Sequence, residues 1–514
     1  MLFNSFAFLL AFLPVTVIGF FVLAKRGEVW AAAWLAGASL FFYGWWDYRY
    51  VPLLLVSVLF NFWCGKRLAD AVQPFRKLWL IVAVALNLGL LGYYKYANFF
   101  LYSINAIAGT HWPGMDVILP IGISFFTFTQ IAFLADTYQG KVREYRFVHY
   151  LLFVTYFPHL IAGPVLHHEE MMPQFSDRRN YTPSASNFAV GCTIFCIGLA
   201  KKVLLADNMA PYANALFDNP DPPSLLLAWG GMLAYTFQLY FDFSGYSDMA
   251  IGLSFLFGIR LPLNFNSPYK SASIVEFWRR WHMTLSRFLR DYLYIALGGN
   301  RRGKVRRYAN LMITMLLGGL WHGAGWNFVI WGGLHGSYLA INHAWTAVAN
   351  RWRFPLQSAA WTAIATIITF VAVCFAWVFF RAPDLTTSWM IVQGMVGGFG
   401  VGLPDTLGNH MGAFQPILKD IGITFFLGGG ARFFATWGWV VFAACIAFFM
   451  PNTQQLTRRF EPVLASHAVS DTVSGWLAGI AWAPTRRWAF FIGMLTVASL
   501  LSLHHPSQFL YFQF

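Results

Sequence analysis

The sequence predicts an all-α integral membrane protein, a polytopic helical bundle, and three observations carry that prediction. Charged residues make up 11% of the 514, against 58% hydrophobic and 19% aromatic, where a soluble protein carries roughly 25% charged residues. The runs 1–24, 29–46, 117–135, 308–350, 354–380, 433–457 and 488–514 contain no Asp, Glu, Lys or Arg, and several exceed the roughly 20 apolar residues that cross a bilayer. A soluble chain of this length divides into domains joined by polar linkers. None is visible, so 1–514 reads as a single transmembrane domain.

The first run is too long, and lacks the basic leader, to be a signal peptide. Lys25 and Arg26 close it, 29–46 forms a second span, and a third from about 51 to 63 precedes Lys66, Arg67, Arg76 and Lys77. Placing these basic clusters on the cytoplasmic side puts the N-terminus outside. Segments 78–94, 117–135 and 147–166 continue the series, followed by 188–205, 225–241, 308–320, 325–349, 359–380, 433–450 and 488–503. These thirteen segments are candidates, and the expected total is roughly 11 spans, within two either way. The glycine-rich segment 385–418 is too broken for a helix and reads as a loop packed against the bundle. No internal repeat of the secondary-transporter kind is apparent.

Residues 276–292 behave differently. Trp278, Trp281, Leu285, Phe288, Leu289 and Tyr292 recur at intervals of three and four, and Arg279, Arg280, Arg287 and Arg290 occupy the remainder. That pattern predicts one amphipathic helix of the interfacial or re-entrant type. It leads through Leu297-Gly-Gly-Asn300 into Arg301, Arg302, Lys304, Arg306 and Arg307, either a positive-inside anchor or a cytoplasmic site for phosphate groups.

Lys plus Arg outnumber Asp plus Glu by 35 to 21. The excess lies between apolar runs, where it sets topology and meets anionic lipid headgroups, so no nucleic-acid partner is expected. The five cysteines sit in apolar context without a paired spacing, as small buried hydrophobes.

Ionisable groups inside a bilayer are functional candidates. His322 lies in GGLWHGAGWNFVIWGGLHG (318–336), far from any charged side chain, and glycines 318, 319, 323 and 325 leave room for a ligand. A neutral imidazole there is either a general base or a core histidine bonded to a neighbouring helix. His282 beside Trp281 serves the same cavity or a polar face, and His335 and His343 read as packing residues. Asp242 and Asp248, in QLYFDFSGYSDMAIG (238–252), form ion pairs or orient a histidine, with the arginines at 279–290 as partners and Gly245 as a break in their helix. The run His167-His168-Glu169-Glu170 has adjacent side chains that diverge, which suits a solvated loop better than a metal site. No metal is expected. His159 has either a pathway or a packing role. Serine-hydrolase, zinc-protease and nucleotide-loop motifs are missing, which leaves proton or acyl transfer, or transport.

The stretches EFWRRWHMTLSRFLRDYLYIALGGNRRG (276–303) and LLGGLWHGAGWNFVIWGGLHG (316–336) resemble the membrane-bound O-acyltransferase superfamily, MBOAT, in its bacterial polysaccharide O-acetyltransferase branch, close to the membrane subunit of alginate O-acetylation. LPIGISFFTF (119–128), FPHLIAGPV (157–165), NFNSPY (264–269) and FLYFQF (509–514) add to the match, which is weakest over 385–487. The resemblance implies helices and re-entrant elements around a central funnel, with catalytic motifs within 238–336 and further spans over 354–514. It implies His322 as catalytic histidine and His282 as the second polar position. It implies an acetyl group taken from a cytoplasmic donor, acetyl-CoA, with no bound cofactor, and passed towards a polysaccharide acceptor through a periplasmic acetyltransferase partner. It implies the bacterial inner membrane as the setting. Relatives carry an arginine shortly after the AGP of 162–164, where this chain has His167-His168.

Acyl transfer needs a base for the acceptor hydroxyl and a donor for the oxyanion. His322 is the expected base. His282 or the indole N–H of Trp281 or Trp321 is the expected oxyanion donor. Arg279, Arg280, Arg301 and Arg302 are expected to hold the donor's phosphates, and Asn300, Asp242 and Asp248 are expected supporting residues of the site. The tail 506–514 is either an interfacial aromatic belt or an anchor for the periplasmic partner.

Overall fold

The computed structural model describes residues 1–72, 74–142, 146–412, 414–464, 480–503 and 510. In chain order its helices are α1 (Leu13–Ala24), α2 (Glu28–Gly44), α3 (Val51–Asp70), α4 (Phe75–Leu91), α5 (Ala97–Ala108), α6 (Ile123–Tyr138), α7 (Phe147–Thr155), α8 (Phe157–Leu160), α9 (His168–Phe175), α10 (Ala185–Ala200), α11 (Asp207–Phe217) and α12 (Leu225–Leu256). There follow α13 (Ile274–Arg280), α14 (Met283–Phe288), α15 (Gly303–His322), α16 (Trp326–Arg351), α17 (Ala359–Arg381) and α18 (Leu385–Met395). Strand β1 (Val401–Pro404), α19 (Asp405–Met411), α20 (Phe414–Asp420), strand β2 (Ile423–Phe426), α21 (Gly430–Phe449), α22 (Thr453–Thr457) and α23 (Arg486–Leu501) complete the list. This is an all-α, multi-pass membrane protein.

Among the described residues, six helical stretches are long and apolar enough to cross a bilayer by themselves: Ala7–Ala24, Tyr48–Asp70, Phe75–Ala108, Ala185–Phe217, Ala359–Arg381 and Gly430–Phe449. The longer count expected from sequence also drew on helices that are shorter, such as the 17-residue α2, or more polar, such as α15 and α16. The segment 147–166 is not one helix. It breaks at Tyr156 into α7 and α8, because Pro158 opens the second.

α12 is the central post, buried along nearly its whole length. Gly245 does not break it. Gly191 and Gly198 of α10 face Gly252 and Gly245 of α12, and a Cβ on Gly245 would lie 2.7 Å from the carbonyl oxygen of Gly198. A seam of small residues lets two backbones meet closely, the usual device for helix association in lipid.

Three further expectations are corrected. Segment 385–418 is not a loop: it folds as α18, β1, α19 and the start of α20, and β1 pairs in parallel with β2. Residues 167–170 are not a solvated loop: His168 is buried and opens α9, and Glu170 holds Arg287 in a two-pronged ion pair at 2.5 and 2.6 Å. Of the cysteines, all free, Cys64 and Cys374 are buried, whereas Cys192 and Cys445 are exposed on helix faces.

Candidate active site

The expected helix 276–292 is two helices. α13 stops at Arg280, and His282 adopts the left-handed backbone conformation (φ 43°, ψ 51°) before α14 begins. That geometry costs a non-glycine residue of order 1–2 kcal/mol. Loop 264–266 compensates it: Asn266 N–H donates to Arg280 O at 2.9 Å and Met283 N–H to Asn264 O at 3.0 Å. The apolar spacing continues on both sides of the turn, which is why periodicity alone read through it.

His322 is the last residue of α15. Gly323, extended at φ −156° and ψ 150°, ends the helix, and α16 starts three residues later. The glycines here do not make room for a ligand. A Cβ on Gly319 would strike Phe328 O, one on Gly323 the Phe328 ring, and one on Gly332 Met315 O. They let α16 return tightly against α15, which seats His322 at the tip of a hairpin. Its ring lies 4.9 Å from Trp321, 5.1 Å from Trp331 and 5.1 Å from Phe380.

The turn at 282 and the tip of α15 meet. The His282 and His322 rings are 6.3 Å apart, and Trp321 lies 6.1 Å from His282. Trp281, on the far side of the turn, is buried between Phe277, Phe265 and Trp377. The two histidines and two tryptophans proposed from sequence thus share one enclosed aromatic chamber. His335 joins it, 4.7 Å from Trp331 and fully buried.

Other expected members lie elsewhere. Arg279 is exposed, and Arg280 binds Glu276 at 2.9 Å and Asn266 O at 3.3 Å. Asn300, Arg301 and Arg302 are exposed before the start of α15. With 20 residues in α15, they are about 30 Å from His322, as far as the hydrocarbon core is thick. Asp242 and Asp248 pair with lysines, not with the arginines at 279–290. Lys202 reaches Asp242 at 2.6 Å, and Lys201 reaches Asp248 at 2.6 Å. Thr453 and Gln454 complete the shell of Asp248. His159 is a packing residue bound to Phe153 O at 2.9 Å. Among the described residues no three His, Cys, Asp or Glu side chains converge as metal ligands. Most of the tail 506–514 lies outside the described residues; Leu510 is buried and donates its N–H to Asp242 at 3.0 Å.

Sequence reasoning missed Lys95. Its ammonium donates to the carbonyls of Trp321 (2.5 Å) and His322 (3.2 Å) and to Ser124 Oγ (3.4 Å). A cation at a helix C-terminus satisfies orphan carbonyls and complements the helix dipole. The signal was present, since Lys95 is the one charged residue within 78–115. The π-helical turn Gly92–Tyr96 presents it, and Tyr96 donates to Leu320 O at 2.9 Å.

The family model of MBOAT, the membrane-bound O-acyltransferase family, matches residues 40–382. The chain belongs to that family. It is therefore an O-acyltransferase, and the chamber falls within the matched region. A peptidoglycan O-acetyltransferase of Helicobacter pylori is 46% identical over 432 residues, covering 78% of this chain and 81% of its own. A probable alginate O-acetylase of Pseudomonas aeruginosa is 46% identical over 405 residues, covering 77% and 75%. One of Pseudomonas putida is 39% identical over 527 residues and covers both chains fully.

Proposed function

We propose that this acyltransferase moves an acetyl group from acetyl-CoA on the cytoplasmic side of the bacterial inner membrane for O-acetylation of an exported polysaccharide, most like alginate. A periplasmic acetyltransferase partner completes the delivery. The observation that carries the reading is the buried chamber holding His322 and His282 with rings 6.3 Å apart.

In the transfer, one ring nitrogen of His322 takes the proton of the acceptor hydroxyl as its oxygen bonds to the acetyl carbon. The carbon–sulfur bond then breaks, and His322 returns the proton to the departing thiolate. The wall of Trp321, Trp331 and Phe380 keeps water from the thioester, which suppresses hydrolysis. Arg301 and Arg302, a helix length away, serve the mouth of the donor path and not the reacting atoms. Peptidoglycan is the second acceptor reading, favoured by the equal identity to a relative with that name.

The test uses purified protein in nanodiscs with radiolabelled acetyl-CoA. Wild type is expected to release CoA and to label an alginate oligosaccharide or an added partner. His322→Ala is expected to do neither while eluting as a monodisperse species. Full activity in that variant removes the base assignment, and label transferred only to peptidoglycan fragments changes the acceptor.

A further inference from the structure

The hydrogen bonds behind His282 fix which of its nitrogens carries the proton. Asn264 Oδ1 receives three donors: His282 Nδ1 at 3.1 Å, Thr284 Oγ1 at 2.9 Å and Thr284 N–H at 3.4 Å. A backbone N–H can only donate, so the atom of Asn264 facing this cluster is its oxygen. The amide nitrogen then points the other way, to Ser247 Oγ at 3.3 Å. Thr284 Oγ1 itself accepts from Val165 N–H at 3.0 Å, which leaves its own proton for Asn264. Two backbone donors thus set every direction in the chain, and an oxygen at His282 Nδ1 requires that nitrogen to be N–H. Nε2 is left with a lone pair. It is buried and has no hydrogen-bond partner among the described residues, an uncommon condition for a buried polar atom in a folded protein.

We infer that Asn264 is a positioning residue that holds His282 as its Nδ1–H tautomer, so that Nε2 is a hydrogen-bond acceptor for His322. This rests on the acyl-transfer reading above. The ring centroids are 6.3 Å apart, about 1 Å more than two imidazoles joined by a direct N–H···N bond would show, and catalytic hydrogen bonds tighten when substrate binds. While one nitrogen of His322 takes the acceptor's proton, the N–H on the other donates to His282 Nε2. A base oriented by a third group follows the logic of a catalytic triad, with a neutral histidine and amide in the place of a carboxylate. The assignment also argues against His282 as donor to the oxyanion: neutral, it has no proton on that side, and the indole N–H groups of Trp281 and Trp321 remain as donors.

The experiment has two arms. Nanodisc protein labelled with ¹⁵N-histidine, with His282→Gln for assignment, is expected to show His282 protonated at Nδ1 and bare at Nε2. Asn264→Leu is expected to lose that signature and at least about tenfold in kcat, with KM for acetyl-CoA within about twofold. Asn264→Asp, which keeps an acceptor oxygen at Nδ1, restores the signature and most of the turnover. A wild-type His282 protonated at Nε2 overturns the inference, and so does full turnover in Asn264→Leu; if that variant fails to fold, the wild-type spectrum decides alone. A protein that shows the tautomer yet transfers no acyl group refutes the proposed function and supports the tautomer assignment.

Discussion

Removing Lys202 should be among the most damaging single changes outside the chamber. Its ammonium lies 2.6 Å from Asp242 and 2.8 Å from Asp207, and the side chains of Lys202 and Asp242 are 5% and 1% exposed. At an effective dielectric constant of about 20, unit charges at that separation attract by about 6 kcal/mol. Desolvating both ions offsets most of this, so the pair as a whole contributes little net stability. Asymmetry makes the test sharp. Lys202→Met leaves a buried carboxylate without its closest cation, which costs about 3–5 kcal/mol. Lys202→Met with Asp242→Asn removes both charges and should recover most of that loss, keeping the Leu510 N–H bond with the amide oxygen. Denaturant titration in detergent micelles, followed by tryptophan fluorescence, measures both variants. A loss under about 1 kcal/mol in the single variant, or no recovery in the double, refutes the reasoning.

Lys95→Met should lower stability by about 1–2 kcal/mol, since it uncaps the C-terminus of α15. It should also lower turnover, because the carbonyls it holds belong to Trp321 and His322; a wild-type rate in the nanodisc assay counts against this. Gly245→Ala should cost about 1–3 kcal/mol by forcing α10 away from α12, while Gly37→Ala, where a Cβ meets nothing within 4 Å, should be neutral in the same denaturant titration. Replacing Arg301 and Arg302 together by Gln should raise KM for acetyl-CoA and leave kcat within about twofold. An unchanged KM removes their phosphate role.

Charge depletion made the membrane class and the isolation of His322 legible, and the motifs around 282 and 322 carried the family. What escaped was set by contacts across the chain. The break at His282 is imposed by loop 264–266, a partner that no periodicity near 282 reveals. Asn264 opens the NFNSPY motif, but its role depends on Thr284 and Val165, which come from two other parts of the chain. The ion pairs of Asp242 and Asp248 were expected with the nearer arginines, whereas the lysines reach them from the π-helical turn Lys201–Ala206 at the end of α10. No local pattern reveals the ion pair of Glu170, whose partner, Arg287, lies 117 positions away.

α12 carries both the ion pairs and part of the chamber, and helix geometry explains how one element does both. At about 100° per residue, Phe243 and Ser247 fall within about 40° of each other and share a face. That face meets the chamber: Phe243 packs 4.8 Å from His282, and Ser247 anchors Asn264. Asp242 and Asp248 lie about 120° apart, off that face on either side, so they need separate lysines, and two consecutive ones in the π-turn meet the need. Between them sits the Gly198–Gly245 contact. The carboxylates therefore act on the chemistry only by fixing where α12 stands. Changes at Lys201, Lys202 or Gly245 should lower stability and turnover together, because they move the post. Ser247→Ala should leave stability nearly intact and lower kcat, because it loosens Asn264 alone. If both sets shift stability and rate in the same proportion, the two faces are not separable and Ser247 has only a packing role.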